Sequence, residues 1–185
     1  RLLIRSLEKL TGKKITDDDI AQAVKAHNEN RQLMRDLYVL RKSNPPMISG
    51  TEMMKVLVAA MSLPVDESSA LIKSVTEEVK ARPMPANGKV PRIMLIGDQI
   101  DDVAIIDAIE GAGAHLVMDD LSIGSKMYWT DVDATPDPIQ GIAERYLRKL
   151  KIPTTFVGDG NTYQENLEAR FGHMKQFIKE FKVDG

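Results

Sequence analysis

The sequence predicts an α/β protein in which helical hairpins precede a doubly wound, mainly parallel layer of strands and helices. Apolar residues recur at helical spacing through residues 15–82. Prolines at 83–91 then interrupt every regular pattern. After them, short apolar runs alternate with helical segments, as in βαβ units. These observations divide the chain into a helical section at 1–82, a proline-rich linker at 83–91, and an α/β domain at 92–185 that is incomplete at its C-terminal end.

Three helices are predicted in the helical section. The first begins at Thr16, with Asp19 three residues on in capping-box position, and its apolar period continues until Ser43. The other two span 48–63 and 66–81, and each has acidic residues near its start, where they favour the positive end of a helix. Short breaks between the three predict helical hairpins.

The α/β domain is predicted to be Rossmann- or flavodoxin-like. Its elements in chain order are a strand at 92–97, a helix at 103–110, a strand at 114–118, a helix at 138–150, a strand at 152–158 and a helix at 163–181. The first two strands are continuous apolar runs, which is typical of strands buried on both faces. Ligands of such sheets bind at the carboxyl ends of the strands. We therefore expect function in the loops that begin at 97, 119 and 158.

Composition excludes several classes of protein. With 185 residues, 43% hydrophobic and 28% charged, the chain is typical of a globular protein rather than a disordered one. Residues 1–10 alternate apolar residues with charge and no apolar run is long enough to span a membrane, so we expect no signal peptide, a cytoplasmic location and no membrane partner. A net charge of −2 argues against a nucleic-acid partner. The absence of cysteine excludes disulfides and ordinary iron–sulfur ligation by these residues.

Charge is distributed unevenly along the chain. Residues 1–90 hold fifteen Lys and Arg against eleven Asp and Glu, whereas 91–185 hold ten against sixteen. Between Ile93 and Ala143 there are ten acids and a single base, Lys126. We therefore expect a polyanionic ligand to be met mainly by basic groups from elsewhere. The chain begins with Arg1 rather than Met and ends on an apolar-acid-Gly sequence, so we interpret it as an internal fragment of a longer protein.

The acidic loop after the first predicted strand permits two interpretations. Asp98, Asp101 and Asp102 could bind Mg²⁺ or, as in receiver domains, accept a phosphoryl group. The simpler interpretation is that they favour the start of the next helix, with Asp101 as its N-cap. A receiver-like function leaves the helical section unexplained.

The most unusual segment follows the second predicted strand and supplies the candidates for a substrate cleft. It gathers acids, hydroxyls, an isolated lysine and two aromatic residues: Asp119, Asp120, Ser122, Ser125, Lys126, Tyr128 and Trp129. The aromatic pair either anchors the loop on a core or a neighbouring subunit or walls an organic ligand. Ser122 has no evident His and Asp partners, so a hydrolase triad is not predicted. No catalytic residue is assigned and no metal ligands are predicted in this chain.

Two further features carry weaker predictions. Gly158 to Asn161 could approach a phosphate through backbone amides, but the segment lacks a GxGxxG pattern and a plain turn is favoured. The histidines at 27, 115 and 173 are scattered, and we expect each to serve packing or lie at the surface.

An ordered series of short motifs resembles the 2-hydroxyacyl-CoA dehydratase and benzoyl-CoA reductase subunit family. In the helical section the series comprises Leu10 to Thr16, Asn28-Glu29-Asn30-Arg31 and Pro45 to Glu52. It continues with Asp101-Asp102, Asp119-Asp120-Leu121, Gly124-Ser125, Tyr128-Trp129 and Ala143 to Leu147. No single motif is diagnostic, but together they span essentially the whole chain in the same order.

The resemblance implies a subunit of a heterodimeric, oxygen-sensitive enzyme that holds a [4Fe–4S] cluster. A separate activator that hydrolyses ATP supplies electrons for radical chemistry on a CoA thioester, either dehydrating an (R)-2-hydroxyacyl-CoA or reducing an aromatic ring. The implied partners are a second homologous subunit, the activator and the CoA-thioester substrate. Neither the acyl group nor the choice between dehydration and ring reduction follows from these residues.

This sequence departs from the family at Ser122, where members often carry cysteine. A serine oxygen is a poor replacement for a thiolate on iron. Either the cluster ligands lie outside these residues, or the chain belongs to a non-catalytic assembly or ligand-binding subunit that has lost the cluster. Three cysteines in the flanking sequence would favour the first alternative.

Overall fold

The computed structural model describes residues 2–84, 88–149 and 162–184. Its elements are α1 (Leu2–Thr11), α2 (Asp17–Val39), α3 (Gly50–Met61), α4 (Val65–Ala81), β1 (Arg92–Ile96), α5 (Val103–Gly111), β2 (His115–Asp120), α6 (Ser125–Tyr128), α7 (Pro138–Glu144) and α8 (Tyr163–Glu180). A short 3₁₀ helix (Leu40–Lys42) follows α2, and one π-helical turn (Arg145–Lys149) follows α7. The described part of the chain is therefore mostly helical.

The three helices predicted at 16–81 are present, and each has acidic residues in its first turn, as predicted. Thr16 and Asp19 form a reciprocal capping box at the start of α2, and Ser49 and Glu52 form another at the start of α3. Helical structure stops at Ser43, as predicted, although its last turn, Leu40–Lys42, is 3₁₀ and the α-helix itself ends at Val39. The sequence analysis predicted no helix at Leu2–Thr11, where α1 lies, and none of the residues of α1 is buried.

The sheet consists of two parallel strands in the described residues. β1 pairs with β2 from Arg92 opposite His115 to Ile96 opposite Asp120, with one irregularity after Ile93, and α5 forms the crossover. This arrangement is compatible with the α/β class. The third predicted strand, at 152–158, and the turn at 158–161 lie outside the described residues, and the full doubly wound layer remains a prediction.

Burial of the two strands differs from the prediction. β2 is buried from Leu116 to Asp120, as its apolar run indicated. β1 is only half-buried over its middle residues and Ile96 is exposed, so the expectation that both faces of this strand are covered was wrong. The side chains of Ile93, Met94 and Leu95 pack against the core only in part.

One hydrophobic cluster draws on both the helical section and the region after the linker. Its members come from α2 to α5, β2, α6, α8 and the adjoining turns, and include Met34, Leu37, Leu57, Ile72, Ile106, Val117, Met118 and Phe177. The longest helix pairing is between α2 and α4, and α3 packs on α5. This cluster seats β2 and the loop after it on the helices. The proposed division at 83–91 remains a prediction.

Two polar side chains, the half-buried Glu110 and the buried Arg92, connect the sections. The Glu110 carboxylate, at the end of α5, accepts hydrogen bonds from the backbone amides of Gly50 and Thr51 at 2.8 and 2.9 Å and from the Thr51 hydroxyl at 3.0 Å. The Arg92 guanidinium, at the start of β1, donates to carbonyl oxygens of the 3₁₀ region and of the chain after α8. These contacts tie α5 to the start of α3, and β1 to the 3₁₀ region and the chain after α8.

Smaller corrections concern the helix ends after β1. Asp102, not Asp101, caps α5 by accepting from the Ala104 amide. Helical structure from Pro138 continues to Lys149, close to the predicted end, but it is α-helical only to Glu144 and π-helical after that. No helix in the residues described is both long and apolar enough to cross a membrane.

Candidate active site

The two acids that end β2 point in opposite directions, because successive residues of a strand face opposite sides of the sheet. Asp119 turns toward α2 and Asp120 toward α8, and both carboxylates are buried. The expectation that these acids lie in the loop past the strand was wrong, since β2 extends through Asp120. The strand therefore fixes both side chains.

Asp119 anchors the loop after β2. It accepts a hydrogen bond from the Tyr38 hydroxyl at 2.6 Å and from the backbone amide of Ser125 at 2.9 Å, and an Arg41 nitrogen lies 3.7 Å away. Burial, with the negative charge of Asp119 beside it, raises the pKa of Tyr38 well above its ordinary value. Gly124 leaves room for this carboxylate, because a Cβ there would lie 2.0 Å from Asp119 Oδ1. Asp119 is thus a structural residue.

The Asp120 carboxylate pairs with two side chains at the end of the strand, the His173 imidazole and the Lys126 ammonium. His173 Nε2, from α8, lies 3.0 Å from Asp120 Oδ1, and Lys126 Nζ lies 3.3 Å from Oδ2. The same ammonium donates to the carbonyl oxygen of Gly97 at 2.8 Å, which ties it to the end of β1. The second ring nitrogen of His173, Nδ1, is buried and has no hydrogen-bond partner among the described residues.

These groups line a cavity of about 190 Å³ at the carboxyl end of β2, which we call the β2 pocket. Its lining residues are Asp120, Ser125, Lys126, Trp129, Thr130, Lys149, His173 and Phe177. The Ser125 hydroxyl oxygen is buried without a hydrogen-bond partner in the residues that the structure describes. Lys149 pairs with Asp133 at 2.5 Å. The position matches the rule that open parallel sheets bind ligands outside their carboxyl ends.

Trp129 anchors the loop on the core, which is one of the two interpretations of its sequence position, and its role beside an organic ligand stays a prediction. Its ring makes edge-on contacts with Tyr38, Phe177 and Phe181 at centroid distances of 5.2, 4.9 and 6.3 Å, which anchors the loop on the core. The same ring lines the β2 pocket. Tyr128 is buried away from that pocket, and burial raises its pKa to about 12.

Of the seven predicted cleft residues, the structure brings Asp120, Ser125, Lys126 and Trp129 together around the β2 pocket. Ser122 lies elsewhere. Its hydroxyl donates to the Asp98 carboxylate and its backbone amide donates to the Asp98 carbonyl oxygen at 2.7 Å. Asp119 and Tyr128 support the loop rather than line this pocket.

Sequence analysis missed four residues of the β2 pocket, Thr130, Lys149, His173 and Phe177. His173 was expected to be a packing or surface residue, but it pairs with an acid 53 positions earlier. Phe177 lies one helical turn further along α8, and Lys149 comes from the π turn. The helical spacing of 173, 177 and 181 was the available signal, since it places the histidine on the buried face of α8.

A metal or phosphoacceptor site at the loop after β1 gains no support. Asp98, Asp101 and Asp102 are exposed, and Asp102 is engaged as the N-cap of α5. No group of three or more His, Cys, Asp or Glu side chains that could hold a metal ion occurs in the described ranges. What the β2 pocket offers instead is a carboxylate–imidazole pair beside an ammonium, an arrangement suited to binding a polar group and moving a proton.

Comparison with known proteins identifies the family. A family model described as "2-hydroxyglutaryl-CoA dehydratase, D-component" matches residues 1–185. The (R)-phenyllactyl-CoA dehydratase beta subunit of Clostridium sporogenes is 26% identical over 186 aligned positions, which cover 100% of this chain and 47% of that protein. One of the subunits of benzoyl-CoA reductase from Thauera aromatica is 29% identical over 150 positions, 80% of this chain and 38% of that protein.

The beta subunit of (R)-2-hydroxyglutaryl-CoA dehydratase from Acidaminococcus fermentans is 27% identical over 181 positions, 97% of this chain and 46% of its own length. This chain thus spans less than half the length of these three relatives. The resemblance seen in the ordered motifs is confirmed. The chain belongs to the 2-hydroxyglutaryl-CoA dehydratase D-component family.

Proposed function

We propose that this chain forms part of a subunit of an (R)-2-hydroxyacyl-CoA dehydratase or a benzoyl-CoA reductase. The observation that carries the proposal is the family match over all 185 residues, together with relatives named as subunits of such enzymes. In the dehydratase case, water leaves a 2-hydroxyacyl thioester and a 2-enoyl thioester remains. The proposal includes a second homologous subunit, an ATP-hydrolysing activator as electron donor, and a cytoplasmic location.

The [4Fe–4S] cluster expected for such an enzyme does not fit the residues of this chain. Such clusters are held by cysteine thiolates, and the chain has none. The β2 pocket offers only oxygen and nitrogen donors, and Ser122 directs its hydroxyl to Asp98. We therefore place the cluster ligands outside these 185 residues and assign none of this chain's residues to the cluster.

In this proposal the β2 pocket contacts the acyl end of the thioester. The Asp120 carboxylate orients the His173 ring through Nε2 and leaves Nδ1 available to an oxygen of the substrate. Lys126 adds positive charge, which favours an oxygen that gains negative charge during the reaction. Trp129 and Phe177 supply an apolar wall that limits the access of water. The assigned roles are to bind the thioester, to orient it and to move a proton at Nδ1.

A non-catalytic assembly or ligand-binding subunit is the second candidate. The absence of cysteine favours it, as does the Ser122 hydroxyl, which is engaged by Asp98 in the loop where family members often carry a thiol. Such a subunit would keep the fold and the pocket without a cluster.

Metal content distinguishes the two candidates. The intact protein would be produced without oxygen, together with its neighbouring subunit, and each subunit analysed for iron, acid-labile sulfide and its EPR spectrum. A [4Fe–4S] signal in the subunit that contains this chain supports the catalytic proposal. A folded, iron-free subunit supports the non-catalytic one.

The role of the β2 pocket is tested by H173Q in the assembled enzyme. Turnover of (R)-phenyllactyl-CoA, lactoyl-CoA, 2-hydroxyglutaryl-CoA and benzoyl-CoA would first identify a substrate. We expect H173Q to lower kcat for that substrate about 100-fold, the lower end for loss of a general acid or base. H115Q is the matched control, because His115 lies at the opposite end of β2. Equal turnover by H173Q and wild type would remove His173 from the mechanism while leaving the family assignment intact.

A further inference from the structure

A second cavity lies between α2 and α7. Its volume is about 350 Å³, and we call it the α2 pocket. Most of its wall is apolar, with contributions from Ile15, Ile20, Ala23, Val24, Val132 and Ile142. A cavity of this size and character, with a few polar groups, is typical of a small-molecule site. None of the residues assigned to the β2 pocket lines it.

The polar end of the α2 pocket is formed by Arg31, which is half-buried. One guanidinium nitrogen donates to the Asn28 side-chain oxygen at 2.6 Å. Within the residues described, no carboxylate oxygen lies within 4 Å of Arg31, because the nearby Asp131 is engaged by Arg35 at 2.9 and 3.0 Å. Burial is the main cause that lowers the pKa of Arg31 to about 10, and the positive charge of Arg145 adds to it.

Positive charge accumulates around this end of the pocket. Arg145 is fully buried and donates to the carbonyl oxygens of Thr130 and Met127, and its Nη1 has no partner among the described residues. Burial lowers the pKa of His27, and the charges of Arg31 and Arg145 lower it further. The one carboxylate in the lining, Asp19, is committed to the capping box of α2. The negative charge of Asp131, which Arg35 binds, offsets part of the positive charge of Arg31 and Arg145, and an anion that enters the pocket would offset more of it.

We propose that the α2 pocket binds a small organic anion, with its carboxylate on the Arg31 guanidinium and its carbon chain against Ile20, Val24 and Ile142. Guanidinium and carboxylate form matched pairs of charge-assisted hydrogen bonds. The apolar wall excludes a bare inorganic ion as the best ligand, because such an ion would leave that surface unfilled. This inference is independent of the proposed function of the β2 pocket.

Equilibrium dialysis of the intact protein against radiolabelled hexanoate and, separately, 1-hexanol tests the proposal. The two probes share a carbon chain and differ in the anionic group. We expect the wild-type protein to bind hexanoate about tenfold more tightly than hexanol, since a charged hydrogen bond contributes this much. We expect R31Q to bind hexanoate about tenfold more weakly than the wild-type protein does. R31K is expected to retain part of it. R5Q, which removes an exposed arginine from α1, should bind as wild type does.

Thermal unfolding separates binding from folding. Because Arg31 makes no ion pair within the described residues, R31Q should unfold within about 2 °C of R5Q in the absence of hexanoate. Equal affinity for hexanoate and hexanol would overturn the proposal, as would full hexanoate binding by R31Q. Failure of the intact wild-type protein to bind hexanoate would overturn it too, and would indicate that another segment or subunit occupies the pocket.

Discussion

Replacing Arg92 by methionine should destabilise the fold more than replacing any exposed charged residue. Only 3% of Arg92 is exposed, and burial lowers its pKa. Its guanidinium donates to the carbonyl oxygens of Phe181 at 2.8 and 3.1 Å, Lys182 at 3.1 Å, Ser43 at 2.9 Å and Arg41 at 2.8 Å. One side chain therefore joins β1, the 3₁₀ region and the chain after α8. Methionine keeps the length of the apolar stem but donates no hydrogen bond.

The magnitude follows from the acceptors left behind. The carbonyl oxygens of Phe181 and Arg41 are buried, and an orphaned buried acceptor costs about 1–2 kcal/mol. The two partly buried acceptors, of Lys182 and Ser43, recover water and add about 0.5 kcal/mol each. Removing a buried charge returns part of this cost. We expect a net loss of about 3 kcal/mol in the free energy of unfolding.

Urea unfolding measures this loss. With a slope of about 2 kcal/mol per molar urea, 3 kcal/mol lowers the midpoint by about 1.5 M. R82M is the matched control, since Arg82 is more exposed and pairs with Glu52 at 2.8 Å and Glu78 at 2.9 Å. Exposed pairs contribute less than about 1 kcal/mol. The reasoning fails if R92M loses less than about 1 kcal/mol, or no more than R82M.

Three other substitutions test separate parts of the structure. G124A should displace Asp119 and destabilise the protein by about 2 kcal/mol in thermal unfolding, whereas G111A, with open space around its Cβ, should not. Burial lowers the pKa of His27 below its ordinary value of 6.5, so the unfolded chain binds a proton at a higher pH than the folded chain does. The free energy of unfolding should therefore fall as the pH drops below about 6.5. H27Q should make this fall with pH less steep. N28A removes two hydrogen bonds, at 2.8 and 3.0 Å, to the backbone between α6 and α7 and a third, at 2.6 Å, from Arg31. It should cost about 1–2 kcal/mol in urea unfolding; no change would mean that water replaces them.

Local features of the fold were predictable because local chemistry determines them. The capping box of Thr16 and Asp19 and the βαβ pattern around Val103 are readable within a few residues, and both are present. The α1 helix was not predicted, since it buries none of its residues and leaves Leu2 and Leu10 exposed. The N-cap at Asp102 differs from the expected one by a single position, which two adjacent acids cannot distinguish in a sequence.

The candidate site was only half predictable. Asp120 and Lys126 lie in one unusual segment, so composition drew attention to them. His173 reaches Asp120 only because α8 packs against the end of β2, and no local pattern encodes that contact. Arg31 was noted as part of a family motif, but its lack of a carboxylate partner in the described residues is visible only once α2 and α7 are placed.

Glu110 has a consequence for how the protein opens. Because its carboxylate binds the amide hydrogens of Gly50 and Thr51, those two hydrogens exchange with solvent only when the end of α5 detaches from the start of α3. Their exchange rates in heavy water thus report the separation of the two sections, residue by residue. A protease cut at 83–91 would leave both pieces joined through this carboxylate and the shared core, so nicked protein should still migrate as one particle.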